Sequence, residues 1–179
     1  AIADKPAVTM GMSMTEKQGG SDVRANTTIA TSMNNDEDDD DNDDDNKWSL
    51  TGHKWFTSAP MSDAFMTLAQ TENGISCFIV PRWLSDGNTP NKGFQLQRLK
   101  DKMGDKSNAS SEVEYRNCIG YLLGEEGRGI RTIVDMVVHT RLDCVIGSAA
   151  LMRQCSQLAT HHCMERNAFG KSLIDQPLM

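Results

Sequence analysis

From Ile130 to Glu165 the apolar residues recur three and four positions apart: Ile130, Ile133, Val134, Val137, Val138, Leu142, Val145, Ile146, Ala149, Met152, Cys155, Leu158 and Ala159. That period is helical, and roughly 36 residues at the standard rise extend about 54 Å. A helix this long with a wide apolar stripe must be covered by other helices. Gly147, Ser148, Ala149 and Ala150 would let one approach closely. The residues up to Met179 supply no such partner. The expectation is a helical layer completed by sequence outside these 179 residues or by another copy. The opening Ala1-Ile2-Ala3-Asp4-Lys5-Pro6 has no start methionine and no secretory signal pattern, so it too reads as a cut into a longer protein.

The preceding residues follow a different period. Val8–Met12, Thr27–Thr31, Trp48–Gly52, Lys54–Thr57, Ala64–Gln70, Ile75–Val80, Phe94–Gln97 and Glu112–Tyr115 are short, β-branched or alternating runs. Turn signals such as Glu72-Asn73-Gly74 and Ser85-Asp86-Gly87-Asn88 separate them. Short strands with frequent turns predict an antiparallel barrel or sandwich over residues 7–118. The fold class is therefore mainly β, barrel or sandwich, followed by a long α-helix from a helical bundle, α+β overall. The domain boundaries are 1–122 for the β-domain and 123–179 for the start of the helical domain.

Charge is concentrated in one place. Residues 36–45 hold nine of the 25 acidic residues; the rest of the chain has 16 acids against 18 bases, so the formal charge of −7 belongs to this tract. Such a run repels itself and has nothing apolar to bury. We read 34–46 as an acidic low-complexity insertion at a hairpin tip, where insertions are tolerated. An EF-hand does not fit: counted from Asp36, the sixth position is Asp41 instead of glycine and the twelfth is Lys47 instead of glutamate. Deleting residues 35–46 should leave the thermal midpoint almost unchanged, and a chain that fails to fold without them would refute the insertion reading.

The five cysteines (Cys77, Cys118, Cys144, Cys155, Cys163) are odd in number and form no Cys-x-x-Cys pair. They read as free thiols in a reducing compartment, without a disulfide framework or zinc site. Adjacent His161 and His162 point in different directions on a helix and make a poor chelate, so no metal site is assigned. No run of eighteen apolar residues is present, so no helical membrane span is expected.

Two segments carry the chemistry. Met14-Thr15-Glu16-Lys17-Gln18-Gly19-Gly20-Ser21-Asp22 joins a hydroxyl, two glycines and Ser-Asp. Gly52-His53-Lys54-Trp55-Phe56-Thr57-Ser58 follows about thirty residues later. Glycines let backbone N–H groups approach a ligand, Trp55 offers a flat apolar face, and Thr57 offers a hydroxyl one strand period away. Gly-Gly-Ser-Asp also suits an ordinary turn, and a strand tryptophan also suits a core.

In this order the two segments resemble the flavin-contacting segments of the acyl-CoA dehydrogenase family. Further matching blocks are Arg98–Gly104, Gly124–Ile130 and Glu165–Leu173. Met-Thr-Glu-Lys-Gln-Gly-Gly-Ser-Asp and the stretch Lys106–Glu114 are similar to the AidB-like branch of that family. Lys17-Gln18 stands where most members carry proline. The resemblance implies a middle β-domain plus the first long helix of the C-terminal helical domain.

It also implies FAD as cofactor, with the Met14 backbone and the Thr15 hydroxyl facing the flavin ring. Gly20 and Ser21 would lie beside the ring and its phosphates, or toward the acyl thioester, with Ser21 the candidate substrate contact. Trp55 would flank the isoalloxazine and Thr57 would reach its N5 edge. Arg166 and Phe169 would bind the FAD of a neighbouring subunit, and Arg141 is a candidate contact for CoA or substrate. The implied reaction is α,β-dehydrogenation of an acyl-CoA thioester with hydride passing to flavin N5. The usual catalytic base would lie beyond Met179; one branch places it at the position of Thr140, which cannot serve. The implied assembly is a homo-oligomer, a tetramer or dimer of dimers, located in the mitochondrial matrix or the cytoplasm. The alternative is an AidB-like flavoprotein with a binding role in DNA protection and weak dehydrogenase activity. That role needs a basic face, which the acidic tract opposes.

Overall fold

The structure is a computed structural model and describes residues 5–33 and 46–179. The acidic tract, apart from Asn46, lies outside the described residues. The chain divides into two compact units, Ala1–Val134 and Asp135–Met179.

The first unit is built on seven strands: β1 (Met10–Ser13), β2 (Ile29–Ser32), β3 (Lys47–Ser58), β4 (Ala64–Thr71), β5 (Gly74–Pro81), β6 (Phe94–Leu99) and β7 (Ser110–Leu123). β3 pairs with β2, β2 with β4, β4 with β5, β5 with β7, and β7 returns to β3. The ring of pairings closes, so the fold is a barrel and not an open sandwich. Closure removes edges around the ring, while β6 lies outside it as an edge strand. β6 pairs only with the first part of β7. Inward-facing Leu50, Ala69, Phe78, Val80, Val113, Tyr115 and Cys118 form the buried core with Ala30.

The barrel is not wholly antiparallel. β1 runs parallel to β4 through Ser13↔Thr67, and β2 runs parallel to β4 at Ile29↔Gln70. Both strands occupy the same place in the wall, between β3 and β4. The chain leaves the wall after Ser13 and re-enters it at Ile29, so one wall position is shared by two half-strands with a gap between them. Every residue of the first motif lies in that excursion.

Three irregularities explain where strand assignments from alternation fell short. β3 is one strand of 12 residues, although the sequence divides it at Gly52–His53. Lys54 pairs with Val113 and Thr57 with Ser111, so β3 carries one extra residue there, a β-bulge. β7 runs 14 residues instead of ending near Tyr115. Asn117 at φ 48° and a register shift opposite Leu50 and Gly52 break its alternation. β2 and β3 form the hairpin that brackets the acidic tract, closed by Met33 N–H donating to Lys47 O at 3.0 Å.

Gly52 is a point of close approach: a Cβ there would lie 2.6 Å from Thr28 Cα. Backbone cannot yield as a flexible side chain can. Gly52→Ala is expected to cost about 1–3 kcal/mol through overpacking, and a thermal melt of the variant checks it.

The helix α1 runs Gly129–Glu165, within one residue of its expected start. Just before it, Gly127 N–H donates to Ser76 Oγ of β5 at 2.8 Å, and Ile133 near its start is buried. In the second unit, β8 (Asn167–Ala168) and β9 (Lys171–Ser172) form a two-residue hairpin after the helix. Among the described residues, no helix is long and apolar enough to cross a membrane.

Candidate functional site: the break in the barrel wall

The excursion from Met14 to Thr28 is tied to β3 by main chain. Trp55 N–H donates to Thr15 O at 2.7 Å, continuing the register of Ser13↔Thr57. The two sequence motifs therefore meet, with Thr15 directly across from Trp55. Asn26 Nδ2 donates to Met14 O at 2.9 Å, and Gln18 Nε2 donates to Asn26 Oδ1 at 2.9 Å. A turn closed by Gly19 N–H to Glu16 O, with Gly19 at φ 113°, carries the chain on to Gly20 and Ser21. A Cβ on Gly20 would lie 2.8 Å from Thr15 Oγ1. The glycine thus leaves clear the space in front of the Thr15 hydroxyl. Ser21 is exposed beside it.

Trp55 and Thr57 do not share a face. The bulge inserts an extra residue, so Lys54 points inward, Trp55 and Phe56 both lie toward the outside, and Thr57 is buried. The Thr57 hydroxyl bonds Ser13 Oγ at 2.7 Å. The bulge is the reason that Thr57, expected to reach the flavin N5 edge, lies on the other side of β3 from Trp55. The Trp55 indole is half-buried, with Lys100 Nζ 3.1 Å from its centroid. Lys100 is held there by Glu112 Oε1 at 2.7 Å, which also accepts from Arg98 Nε at 2.9 Å. Hydrogen bonds from Arg98 and then Lys100 lower the Glu112 carboxyl to about 2.

Sequence reasoning gave no role to the pair that fills the break. Glu16 is 2 % exposed and Lys54 is fully buried. Lys54 Nζ donates to Glu16 Oε1 at 2.9 Å and to Leu68 O at 2.8 Å. Glu16 Oε1 also accepts from Thr28 N–H at 3.1 Å and Thr28 Oγ1 at 2.6 Å. Its Oε2 accepts from Thr27 N–H at 2.7 Å and Thr27 Oγ1 at 2.8 Å. Burial pushes the Glu16 carboxyl up, but the Lys54 charge and the bonds from Thr28, Lys54 and Thr27 outweigh it and bring it to about 2. Burial lowers Lys54, and the Glu16 charge works against that. One signal was available: Lys54 follows Leu50 and Gly52 at period two on the inward register, and a lysine there requires a buried partner.

Acid sensitivity follows from these carboxylates. Glu16 and Glu112 fall from an ordinary 4.5 to about 2, and Asp63 falls from 3.8 to about 2 through bonds from Lys5 and Thr9. A carboxyl depressed on folding stabilises the folded state above its ordinary value and loses that contribution as pH falls toward the folded value. The melting temperature should therefore fall steeply as pH drops from 4.5 towards 2. Glu112→Gln should make that fall shallower, which thermal melts across the pH range will read.

The remaining expected site residues belong to the second unit. Arg141 is exposed on α1, and Thr140 Oγ1 donates back to Val137 O at 2.9 Å. Arg166 is exposed just after the helix. Phe169 and Gly170 form the two-residue turn of the β8–β9 hairpin at φ 52° and 77°. Phe169 is 97 % exposed, so a phenylalanine sits in the left-handed region with its ring outside any core. Among the described residues, no group of three His, Cys, Asp or Glu is arranged to hold a metal ion.

A barrel whose broken wall strand carries a glycine-bearing loop, followed by a long bundle-type helix, has known counterparts. The acyl-CoA dehydrogenase middle-domain model matches residues 11–118, and the C-terminal-domain model matches residues 127–179. The chain belongs to the acyl-CoA dehydrogenase family, whose members are flavoprotein oxidoreductases. It is 51 % identical over 175 residues to the putative acyl-CoA dehydrogenase AidB of Escherichia coli K12, covering 98 % of this chain and 30 % of that protein. It is 32 % identical over 183 residues to acyl-CoA dehydrogenase family member 11 of Caenorhabditis elegans, covering 96 % of this chain and 28 % of the relative. The crystal structure of Caenorhabditis elegans ACDH-11 in complex with C11-CoA superposes with a TM-score of 0.82 at 32 % identity, over 96 % of this chain and 29 % of that one. The chain thus spans less than a third of the length of these relatives.

Proposed function

We propose that this chain is the flavin-binding middle portion of a longer, FAD-dependent acyl-CoA dehydrogenase-type oxidoreductase. The observation that carries the reading is the junction of Thr15 with Trp55 across the broken wall. It brings a hydroxyl with no hydrogen-bond partner among the described residues, a space kept free by Gly20 and a half-buried indole to one outer surface. These features fit a flat, polar-edged ring system. The Met14 and Thr15 segment, Gly20, Ser21 and Trp55 would hold FAD noncovalently, while Thr57 supports the wall from inside through Ser13. FAD, when bound, would take up the hydride leaving the β-carbon of an acyl-CoA thioester. Ser21 and Arg141 would contact that substrate. Arg166 and the fully presented Phe169 would reach the FAD of a neighbouring copy in a homo-oligomer. An arginine fork suits a pyrophosphate and an aromatic ring suits an adenine. No residue of this chain is assigned as the base that removes the α-proton. Thr140 has no suitable group and bonds its own helix, so the base would come from outside residues 1–179.

The test is a visible absorption spectrum of the protein at its natural full length, titrated with acyl-CoA thioesters of different chain length. An oxidised-flavin spectrum that bleaches on addition of one of them supports the reading. A colourless protein that takes up no added FAD refutes it.

A further inference from the structure

We propose that the Glu16–Lys54 ion pair positions the bound flavin by fixing the Met14–Ser21 loop across the gap in the barrel wall. The inference rests on the flavin reading above and assigns these two residues a task within it. Leu68 lies on β4 between the last residue paired with β1, Thr67, and the residue paired with β2, Gln70. In that interval Lys54 Nζ takes the place of a strand neighbour, donating to Leu68 O at 2.8 Å. Its second bond, to Glu16 Oε1 at 2.9 Å, carries the connection from the wall into the loop.

Glu16 then ties both ends of the excursion together. Its backbone carbonyl closes the turn that leads to Gly20, and its neighbour Thr15 accepts the Trp55 N–H. Its carboxylate gathers four donors from Thr27 and Thr28, just before the chain re-enters the wall as β2. An apolar pair could fill the same volume at equal or better stability, but it could not accept four directed bonds. What the ion pair supplies is therefore geometry. It holds Thr15 opposite Trp55 in the absence of ligand, so the ordering cost is met before binding.

The experiment uses the protein at its natural full length, with Glu16→Gln and the charge-balanced double variant Glu16→Gln/Lys54→Met. Three quantities are read: FAD affinity by equilibrium dialysis, the visible circular dichroism of the flavin at saturating FAD, and the thermal midpoint without FAD. The expected result for Glu16→Gln is FAD affinity weakened at least about tenfold and an altered flavin dichroism at saturation. The double variant should regain the thermal midpoint, since no unpaired charge remains buried, yet keep the weakened affinity and altered dichroism. If Glu16→Gln does not fold, the double variant is scored alone on the same two flavin readouts.

Parent-like affinity and dichroism in the folded variants would overturn the inference, as would flavin binding that recovers together with the thermal midpoint. These outcomes leave the flavin reading intact. A parent protein that holds no FAD would instead overturn the flavin reading and this inference with it.

Discussion

Trp55→Ala, made at the protein's natural full length, is expected to release FAD on dilution under conditions where the parent retains it. The indole is a large flat apolar surface directly opposite Thr15; Thr15, Gly20 and Ser21 beside it are small. Truncating a tryptophan at the centre of a contact typically costs at least about 2 kcal/mol, or about thirtyfold in affinity. The fold should survive. Trp55 is half-buried and outward-facing, and Lys100 keeps its bond to Glu112 at 2.7 Å whether or not the ring is present. The thermal midpoint of the FAD-free variant should therefore stay close to that of the parent while the dissociation constant rises. Trp55→Phe should recover part of the loss. A Trp55→Ala variant that holds FAD as tightly as the parent would show that the ring does not face the cofactor.

The parts of this molecule legible in the sequence are those where one periodicity runs uninterrupted. The α1 pattern gave its start to within one residue because nothing breaks the three-and-four spacing between Ile130 and Glu165. β4 and β5 were legible as short apolar runs, the second stopped by Pro81. Closure of the barrel was not, because no local pattern records that β7 returns to β3. The bulge at Trp55–Phe56 was hidden as well: period two puts Trp55 and Thr57 on one face, and a single extra residue reverses that. The motif residues themselves could be picked out, and their meeting at the wall break is a matter of register between β1 and β3. Glu16 and Lys100 left no trace. A glutamate in a polar loop and a lysine after a strand look solvated until the partner positions, Lys54 and Glu112, are known.

The 179-residue chain by itself is expected to self-associate through α1. Val138, Leu142, Val145 and Met152, spaced four, three and seven residues apart, share one helix face and are 56, 56, 65 and 65 % exposed. Leu151 and Leu158, seven apart, form a second face at 69 and 59 % exposure. A helix apolar on two faces is built for an interior and not for a surface. Full burial of such side chains is worth roughly 1.5–3 kcal/mol each, so covering the exposed half of each contributes about 1 kcal/mol. Two copies packing one face each gather several such contributions, comparable to the lower part of the roughly 4–15 kcal/mol cost of association. Engagement of the second face adds to the favourable side. The expected result is reversible, concentration-dependent association, measured by sedimentation equilibrium. Leu142→Glu/Val145→Glu places two charges on the first face and should return the chain to monomer without altering the barrel, which circular dichroism would verify. Monomeric behaviour of the parent chain across the whole concentration range would show that the apolar faces of α1 do not suffice to hold two copies together.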